Sequence, residues 1–286
     1  MVIKIALLQM TSGADIAENI TRFEALAAEA AAQGAQFIAT PENIFLMEES
    51  GKPRSFYMQA EHPGVKTAAE VAKKYKVWLL IGSVAVLPDN PLPEGEGIKT
   101  YNRSILFNPQ GEIAAHYDKI HLFDVEVGDG QNYRESAKII AGDRAVVATI
   151  TPFLTLPPQW GGDIMLGMSI CYDVRFPHLY RALAQKGAEI LAVPAAFTAV
   201  TGEAHWHTLL RARAIENGCF VIAPAQCGTH PGNRKTFGHS LVVDPWGKVL
   251  ADGGTEEGVV LVDIDLGDVA KARAKIPSLM HDREFE

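Results

Sequence analysis

Three residues that lie far apart in the chain have types and surroundings that could support nucleophilic catalysis. Cys171 ends an apolar run in the segment GMSICYDVRFP (167–177), Glu42 lies between two short apolar stretches, and Lys119 follows a predicted hairpin among aromatic residues. A cysteine nucleophile needs a base, and its attack on a carbonyl group needs donors that stabilise the resulting oxyanion. Taken singly, each of these residues also has an ordinary structural explanation.

Cys171 allows two interpretations. Free cysteine is among the most buried residue types, so this residue could simply close a strand in the core. Alternatively, the sequence predicts a helix that opens at Asp173, whose N-terminus would favour a thiolate over a thiol and place the Tyr172 N–H near a developing oxyanion. Cys219 and Cys227 flank an apolar strand and lack this context. The segment by itself leaves both interpretations open.

Glu42 and Lys119 are the candidate partners of the cysteine, because none of the nine histidines stands out as its base. Apolar residues on both sides of Glu42 predict partial desolvation, which would raise the pKa of its carboxyl group toward that of a useful general base. A carboxylate that caps or pairs at a loop is the ordinary alternative. A lone lysine is normally solvated, but the surroundings of Lys119 would let its ammonium group point inward as a fixed positive charge.

Composition and charge argue against several classes of protein. The chain has 286 residues, is 48% hydrophobic and carries a net charge of −8 with no basic block, which argues against nucleic acid as a partner. No apolar run reaches the roughly 18 residues of a membrane span, and the first residues lack the layout of a signal peptide. Three cysteines without metal-ligand spacing indicate a reducing, cytoplasmic setting, and no motif offers ligands for a catalytic metal.

The hydrophobic pattern predicts two similar halves, each of the order strand, helix, strand, helix, strand and hairpin. Both hairpins cross the turn Asn/Asp-Pro-x-Gly. The predicted strands are 3–9, 36–40, 77–86, 101–107 and 112–117, then 163–170, 189–193, 220–224, 240–243 and 249–251; the predicted helices are 14–33, 63–75, 177–186 and 204–217, and the tail from about residue 267 begins as a helix.

This repeat predicts an α/β fold in which two sheets pack on each other with helices on both outer faces, a four-layer α-β-β-α sandwich. We expect a single domain over residues 1–286, with a core of about 1–266 and a tail of about 267–286. Glu42 and Cys171 then lie at the carboxyl ends of strands, where open α/β sheets carry their chemistry.

Together, three segments resemble the nitrilase superfamily of carbon–nitrogen hydrolases: Pro-Glu at 41–42, YDKIHLF at 117–123 and ICYDVRFP at 170–177. Glu42 stands 77 residues before Lys119, which stands 52 residues before Cys171. The resemblance covers nearly the whole chain. It implies the four-layer sandwich with two similar halves and pairing into a homodimer or a higher homo-oligomer.

The resemblance also implies roles for individual residues. Cys171 would be the nucleophile, Glu42 the general base and acid, and Lys119 the electrostatic stabiliser of the oxyanion, together with the N–H of Tyr172. Family members place a second glutamate between the lysine and the cysteine; Glu135 is the candidate here, and Glu126 is the alternative. The implied reaction is hydrolysis of an amide through a thioester, giving an acid plus ammonia or an amine, with no metal or organic cofactor.

The segments 194–228 and 238–249 resemble the branch of amidases that acts on deaminated glutathione, and its close relative ω-amidase. The substrate implied is a small carboxylated amide. Arg175 would bind that carboxylate, with an ion pair at the helix start as its alternative, and Tyr172, Phe197 and Thr201 would line the pocket. The segment 152–160 is longer than is usual in the family and could reshape the pocket rim.

Other functions remain open at this level. Within the superfamily they are ω-amidase, N-carbamoyl amino acid hydrolase and nitrilase. Outside catalysis, the chain could be a metabolite-binding scaffold built on the same fold or a thiol-redox sensor, although no resolving cysteine lies near Cys171 in the sequence.

Overall fold

The computed structural model describes residues 1–48, 55–89, 97–130, 132–151 and 162–284. Two large sheets and two small ribbons account for the strands of these residues. The first sheet contains Val2–Gln9 (β1), Phe37–Ala39 (β2), Trp78–Val86 (β3), Thr100–Phe107 (β4), Ile113–Asp118 (β5), Ile139–Ile140 (β8) and Gly258–Asp265 (β17). The second contains Val147–Ile150 (β9), Ile164–Met168 (β10), Ile190–Ala192 (β11), Phe220–Ala223 (β12), Leu241–Val243 (β15) and Val249–Asp252 (β16). The ribbons pair Asp124–Val125 (β6) with Tyr133–Arg134 (β7), and Cys227–Thr229 (β13) with Lys235–Phe237 (β14).

In the described residues, five α-helices connect or follow these strands: Ile16–Ala32 (α1), Pro63–Tyr75 (α2), Pro177–Gln185 (α3), Ala199–Asn217 (α4) and Gly267–Lys275 (α5). Asp15 caps α1, since its side chain accepts hydrogen bonds from the N–H groups of Ala17 and Glu18 at 2.8 and 3.0 Å. Within the described parts of the chain, no helix is both long enough and apolar enough to cross a bilayer.

The two halves correspond strand by strand. In the first sheet β1, β2 and β3 are parallel and the hairpin β4–β5 follows antiparallel; in the second β10, β11 and β12 are parallel and the hairpin β15–β16 follows antiparallel. The predicted fold with two internally similar halves is confirmed.

The halves also exchange a strand, which the sequence pattern did not predict. After the first half the chain enters the second sheet as β9, antiparallel to β10, and after the second half it returns to the first sheet as β17, antiparallel to β1. The pairing of β17 is long, running from Val2 opposite Asp265 to Gln9 opposite Gly258. Each sheet is therefore completed by the other half of the chain.

The side chains of β1 alternate between the two faces of the first sheet, and their packing partners show the order of the layers. Ile5 and Leu7 belong to a core cluster that also contains Leu166 and Met168 of the second sheet, whereas Leu8 belongs to a separate cluster beneath α1 and α2. The outer face of the second sheet is covered by α3 and α4, whose buried side chains join the first cluster. The order of layers is α-β-β-α, as predicted.

Candidate active site

Cys171, Glu42 and Lys119 lie just past the carboxyl ends of three different strands, β10, β2 and β5. All three are buried, with 7%, 3% and 1% of their surfaces exposed, respectively. The structure brings them together: the side chains of Glu42 and Cys171 interact electrostatically, and Lys119 Nζ donates to Glu42 Oε1 at 2.9 Å. The packing of the two sheets thus unites residues from both halves of the chain.

The backbone at Cys171 has a left-handed conformation, with φ of 48°, which is uncommon for a residue other than glycine. Its N–H donates to the carbonyl of Pro194 at 2.9 Å. The buried carboxylate of Asp173 accepts hydrogen bonds from the Ile170 N–H at 2.8 Å and from the Tyr117 hydroxyl at 2.7 Å. These contacts hold a sharp turn that carries the sulfur out of the strand.

The helix predicted to open at Asp173 is instead a short 3₁₀ turn over Cys171–Arg175, and α3 begins at Pro177. The expected preference for a thiolate is wrong. Burial raises the pKa of the Cys171 thiol well above its ordinary value, and the negative charge of Glu42 raises it further, while Lys119 only partly opposes them. Cys171 is therefore a thiol at rest.

The expected rise in the pKa of Glu42 is also wrong. Burial by itself would raise that pKa, but the charge of Lys119 and its hydrogen bond outweigh burial and lower it below the ordinary 4.5. Glu42 Oε1 also accepts from Asn102 Nδ2 at 3.0 Å, and Oε2 accepts from the Ala196 N–H at 2.9 Å. Glu42 is thus a carboxylate beside a neutral thiol, ready to accept its proton.

Lys119 lies between two carboxylates. Its Nζ donates to Glu42 at 2.9 Å and to both oxygens of Glu135, at 2.9 and 3.1 Å. Burial would lower the pKa of Lys119, but Glu135 and Glu42 reverse this and raise it above its ordinary value. The other glutamate considered, Glu126, lies at the surface against Arg134 at 3.8 Å. The geometry therefore places Glu135, and not Glu126, at the lysine.

The cavity in front of Cys171 has a volume of about 480 Å³, and Tyr172, Phe197 and Thr201 line it. The Tyr172 ring packs edge-on against Phe123 at 5.0 Å between centroids, and Phe197 packs on Trp206 at 4.9 Å. The N–H of Tyr172 lies in the first turn of the 3₁₀ segment, where an amide has no partner within the helix. It is available to a ligand beside the sulfur.

Arg175 is placed differently from Tyr172, Phe197 and Thr201. Its guanidinium lies over the rings of Tyr172 and Phe197, at 5.9 and 5.3 Å from the ring centroids, and contacts His205 Nδ1 at 3.3 Å. It is not among the residues that line the cavity within the described part of the chain. Its guanidinium therefore packs on two residues of the cavity wall.

Two residues of the site were not identified from the sequence. Asn102 Nδ2 bridges the two glutamates, at 3.0 Å from Glu42 and 3.1 Å from Glu135, and Arg234 lines the cavity from the β13–β14 ribbon. Asn102 stands between Tyr101 and Arg103 in β4, and no signal in this stretch of sequence indicates that its side chain is buried between two glutamates. The predicted effect of the segment 152–160 on the pocket rim falls outside the described residues.

An α-β-β-α sandwich with a cysteine, a glutamate and a lysine buried at one edge of its sheets defines a class of hydrolases that use a cysteine nucleophile. The chain matches the family described as Carbon-nitrogen hydrolase over residues 4–274, and it belongs to that family. The resemblance to the nitrilase superfamily is confirmed.

Relatives and solved structures support this assignment over nearly the whole chain. The deaminated glutathione amidase of Synechocystis is 43% identical, with 96% of each chain covered, and the human omega-amidase NIT2 is 36% identical, with 98% of this chain and 95% of that one covered. Nit3 of Saccharomyces cerevisiae, a nitrilase-superfamily member, superposes with a TM-score of 0.78 at 28% identity, covering 96% of this chain and 94% of that one.

A variant of the amidase from Nesterenkonia sp. AN1, in which acrylamide has added to the active-site cysteine, superposes with a TM-score of 0.73. It is 28% identical, with 96% of this chain and 98% of that one covered. The same fold therefore carries a reactive cysteine in a related amidase.

Proposed function

We propose that this protein is an amidase that hydrolyses a small carboxylated amide of the deaminated-glutathione type, through a thioester on Cys171. The observation that carries the proposal is the buried carboxylate of Glu42, which accepts from Lys119 Nζ at 2.9 Å in the same cavity as the Cys171 thiol. The substrate class is supported by the names of the relatives, among which deaminated glutathione amidases reach 43% identity.

The proposed reaction begins when Cys171 attacks the amide carbonyl while Glu42 takes the thiol proton. Lys119 and the N–H of Tyr172 stabilise the oxyanion of the tetrahedral intermediate. Glu42 then returns the proton to the leaving nitrogen, the carbon–nitrogen bond breaks, and an acyl thioester remains. In the second half Glu42 takes a proton from water as it attacks the thioester, and the acid leaves with the thiol restored.

We propose that Glu135 is a positioning residue, since both its oxygens accept from Lys119 and would hold the ammonium group in place for the oxyanion. Tyr172, Phe197 and Thr201 are proposed to contact the substrate, in keeping with their places in the cavity wall. For Arg175 we propose an indirect part in substrate binding, through the two rings that it packs against.

We further propose that residues 1–286 act as one domain that forms a homodimer or a higher homo-oligomer in the cytoplasm. Exposed apolar side chains near one another support self-association: Trp246 lies beside Lys275, whose neighbour Ile276 is exposed, and the turn at Gly247 meets exposed Ile215. Three free cysteines agree with a reducing compartment. Light scattering of the purified protein measures the oligomeric state directly.

The test of the function is an assay of both ammonia and amine release. Deaminated glutathione is a substituted amide, so its hydrolysis releases the cysteinylglycine amine, whereas α-ketoglutaramate releases ammonia. We expect turnover of deaminated glutathione to exceed that of simple aliphatic amides, with Cys171→Ala as the blank. Turnover confined to aliphatic amides would contradict the proposed substrate class.

ω-Amidase activity is the second candidate, supported by the 36% identity to the human omega-amidase NIT2. The same assay distinguishes ω-amidase activity from the first proposal, because a preference for α-ketoglutaramate over deaminated glutathione would identify an ω-amidase. Release of carbon dioxide together with ammonia would identify an N-carbamoyl hydrolase, and turnover of nitriles without amides a nitrilase.

The pH dependence of kcat/KM is expected to show a wide plateau, from about pH 5 to about pH 9. The pKa of Glu42 is lowered from 4.5, so its base form persists down to that range, and the pKa of Cys171 is raised above 9.0, so no thiolate forms near neutrality. Steady-state rates in constant-ionic-strength buffers test this. A rise in rate between pH 7 and 9 would instead indicate a pre-formed thiolate nucleophile.

A further inference from the structure

Arg234 enters the cavity from a rigid support. It immediately precedes β14, and the ribbon β13–β14 is held by the buried ring of His230, whose nitrogens contact the carbonyl of Ser12 at 2.9 Å and Thr236 Oγ1 at 2.7 Å. The backbone also closes this turn, since the His230 N–H donates to the Arg234 carbonyl at 2.8 Å. The backbone position of Arg234 is therefore set by the fold.

The guanidinium of Arg234 is oriented by weak contacts and keeps donors to spare. Its Nη2 donates to the carbonyl of Ala196 at 3.0 Å, and its plane lies over the ring of Tyr133, at 5.6 Å from the centroid. Its Nε is buried without a hydrogen-bond partner among the described residues. A buried N–H left unpaired is costly, so the protein does not fully satisfy the hydrogen-bonding capacity of this guanidinium.

Among the described residues that line the cavity, Arg234 is also the cation without a carboxylate within 4.0 Å. The other ammonium and guanidinium groups that line it among the described residues each lie within 4.0 Å of a carboxylate: Lys119 with Glu42 and Glu135, Arg134 with Glu126, and Lys138 with Glu48. Beside the sulfur, two carboxylates face a single lysine, an arrangement that repels anions. Arg234 offsets that excess charge without being neutralised itself.

We propose that Arg234 binds the carboxylate of the amide substrate and so sets the preference of the enzyme for carboxylated over uncharged amides. The inference rests on the proposed amidase function and identifies the group that recognises the anion, with Arg175, which is not among the described residues that line the cavity, as the alternative tested below. A planar guanidinium with free N–H groups matches a carboxylate in both charge and geometry. Arg234 lines the same cavity as Glu42 and Cys171. Its positive charge also helps to lower the pKa of Glu42.

The experiment compares matched substrates in the variants Arg234→Gln and Arg234→Lys. Glutaramate and pentanamide have the same length and the same terminal amide, and differ in one carboxylate. In Arg234→Gln we expect KM for glutaramate to rise about 10- to 100-fold, the loss of one charge-assisted contact, with kcat changed by less than about threefold. KM for pentanamide is expected to stay within about twofold, and Arg234→Lys to give an intermediate KM for glutaramate.

Two further variants and one further substrate test the assignment of Arg234. Lys235→Gln removes an exposed positive charge from the adjacent position of the same ribbon and should leave both substrates unchanged. Arg175→Gln should affect glutaramate and pentanamide alike, because it disturbs the wall and not the anion contact. N-Acetylglycine carries its carboxylate on the amine side of the amide bond, whereas glutaramate carries it on the acyl side. A rise in KM in Arg234→Gln for only one of these two substrates shows whether Arg234 binds a carboxylate of the acyl part or of the leaving group.

The outcomes separate the two proposals. Equal losses for glutaramate and pentanamide in Arg234→Gln, or no change in their ratio, would overturn the role of Arg234 while leaving the amidase intact. No turnover of any amide by the unmodified enzyme would overturn the proposed function itself. In that case, inhibition of Cys171 alkylation by glutarate still tests the anion contact, and it should require Arg234.

Discussion

Replacement of Cys171 by alanine is expected to reduce amide turnover by at least about 10⁴-fold, because the proposed thioester cannot form without the sulfur. The fold should persist. The side chain is small and the turn around it is held by backbone contacts to Pro194 and by Asp173, so we expect a loss of no more than about 1 kcal/mol in the free energy of unfolding. Single-turnover kinetics and urea denaturation measure the two effects separately.

The matched control is Cys219→Ala. Cys219 is as deeply buried, but its sulfur contacts the carbonyl of Ala188 at 3.2 Å and the side chain of Arg273 at 3.0 Å, remote from Glu42 and Lys119. This variant should retain turnover. If Cys171→Ala also retained it, the cysteine would be a core residue and the proposed mechanism would be wrong.

Replacement of Lys119 by methionine is expected to abolish turnover and to destabilise the protein by about 3–5 kcal/mol at neutral pH. The methionine fills much of the same space, but the buried carboxylate of Glu42 and the half-buried carboxylate of Glu135 are left without the cation that both contact. Chemical denaturation measures the loss. Lys271→Met, which removes an exposed lysine paired with Asp268 at 2.8 Å, serves as control and should cost less than about 1 kcal/mol.

The loss in Lys119→Met should depend on pH in a defined direction. In the unmodified protein the pKa of Glu42 is lowered, so its contribution to stability is present above the ordinary 4.5 and is lost as the pH falls through the folded-state value. Without Lys119 burial dominates and raises the pKa of Glu42, so the variant gains stability from protonation as the pH falls. The difference in stability between the two proteins should therefore narrow toward pH 4, and a difference independent of pH would contradict this account.

The elements of the fold were largely predictable because their patterns are local. The predicted helix 63–75 coincides with α2, and the predicted strands of both hairpins lie within one or two residues of β4, β5, β15 and β16. Helix α4 begins at Ala199, five residues earlier than predicted, because Thr198 caps it through the N–H of Thr201. Strand β17 was missed, since its place beside β1 depends on a partner at the other end of the chain.

The sequence by itself determined which residues could react and at which strand ends they stand, because apolar periodicity and residue type are properties of short segments. It could not determine their protonation. Burial favours a raised pKa for both Glu42 and Cys171, and only the tertiary structure decides that Lys119 reverses the effect at Glu42 but not at Cys171. The same holds for Arg234 and Arg175: residue type alone does not separate them, and only the folded structure shows that Arg234 lines the cavity whereas Arg175 packs on a residue of its wall. Electrostatic energies depend on distances between groups remote in the chain, and those distances exist only after folding.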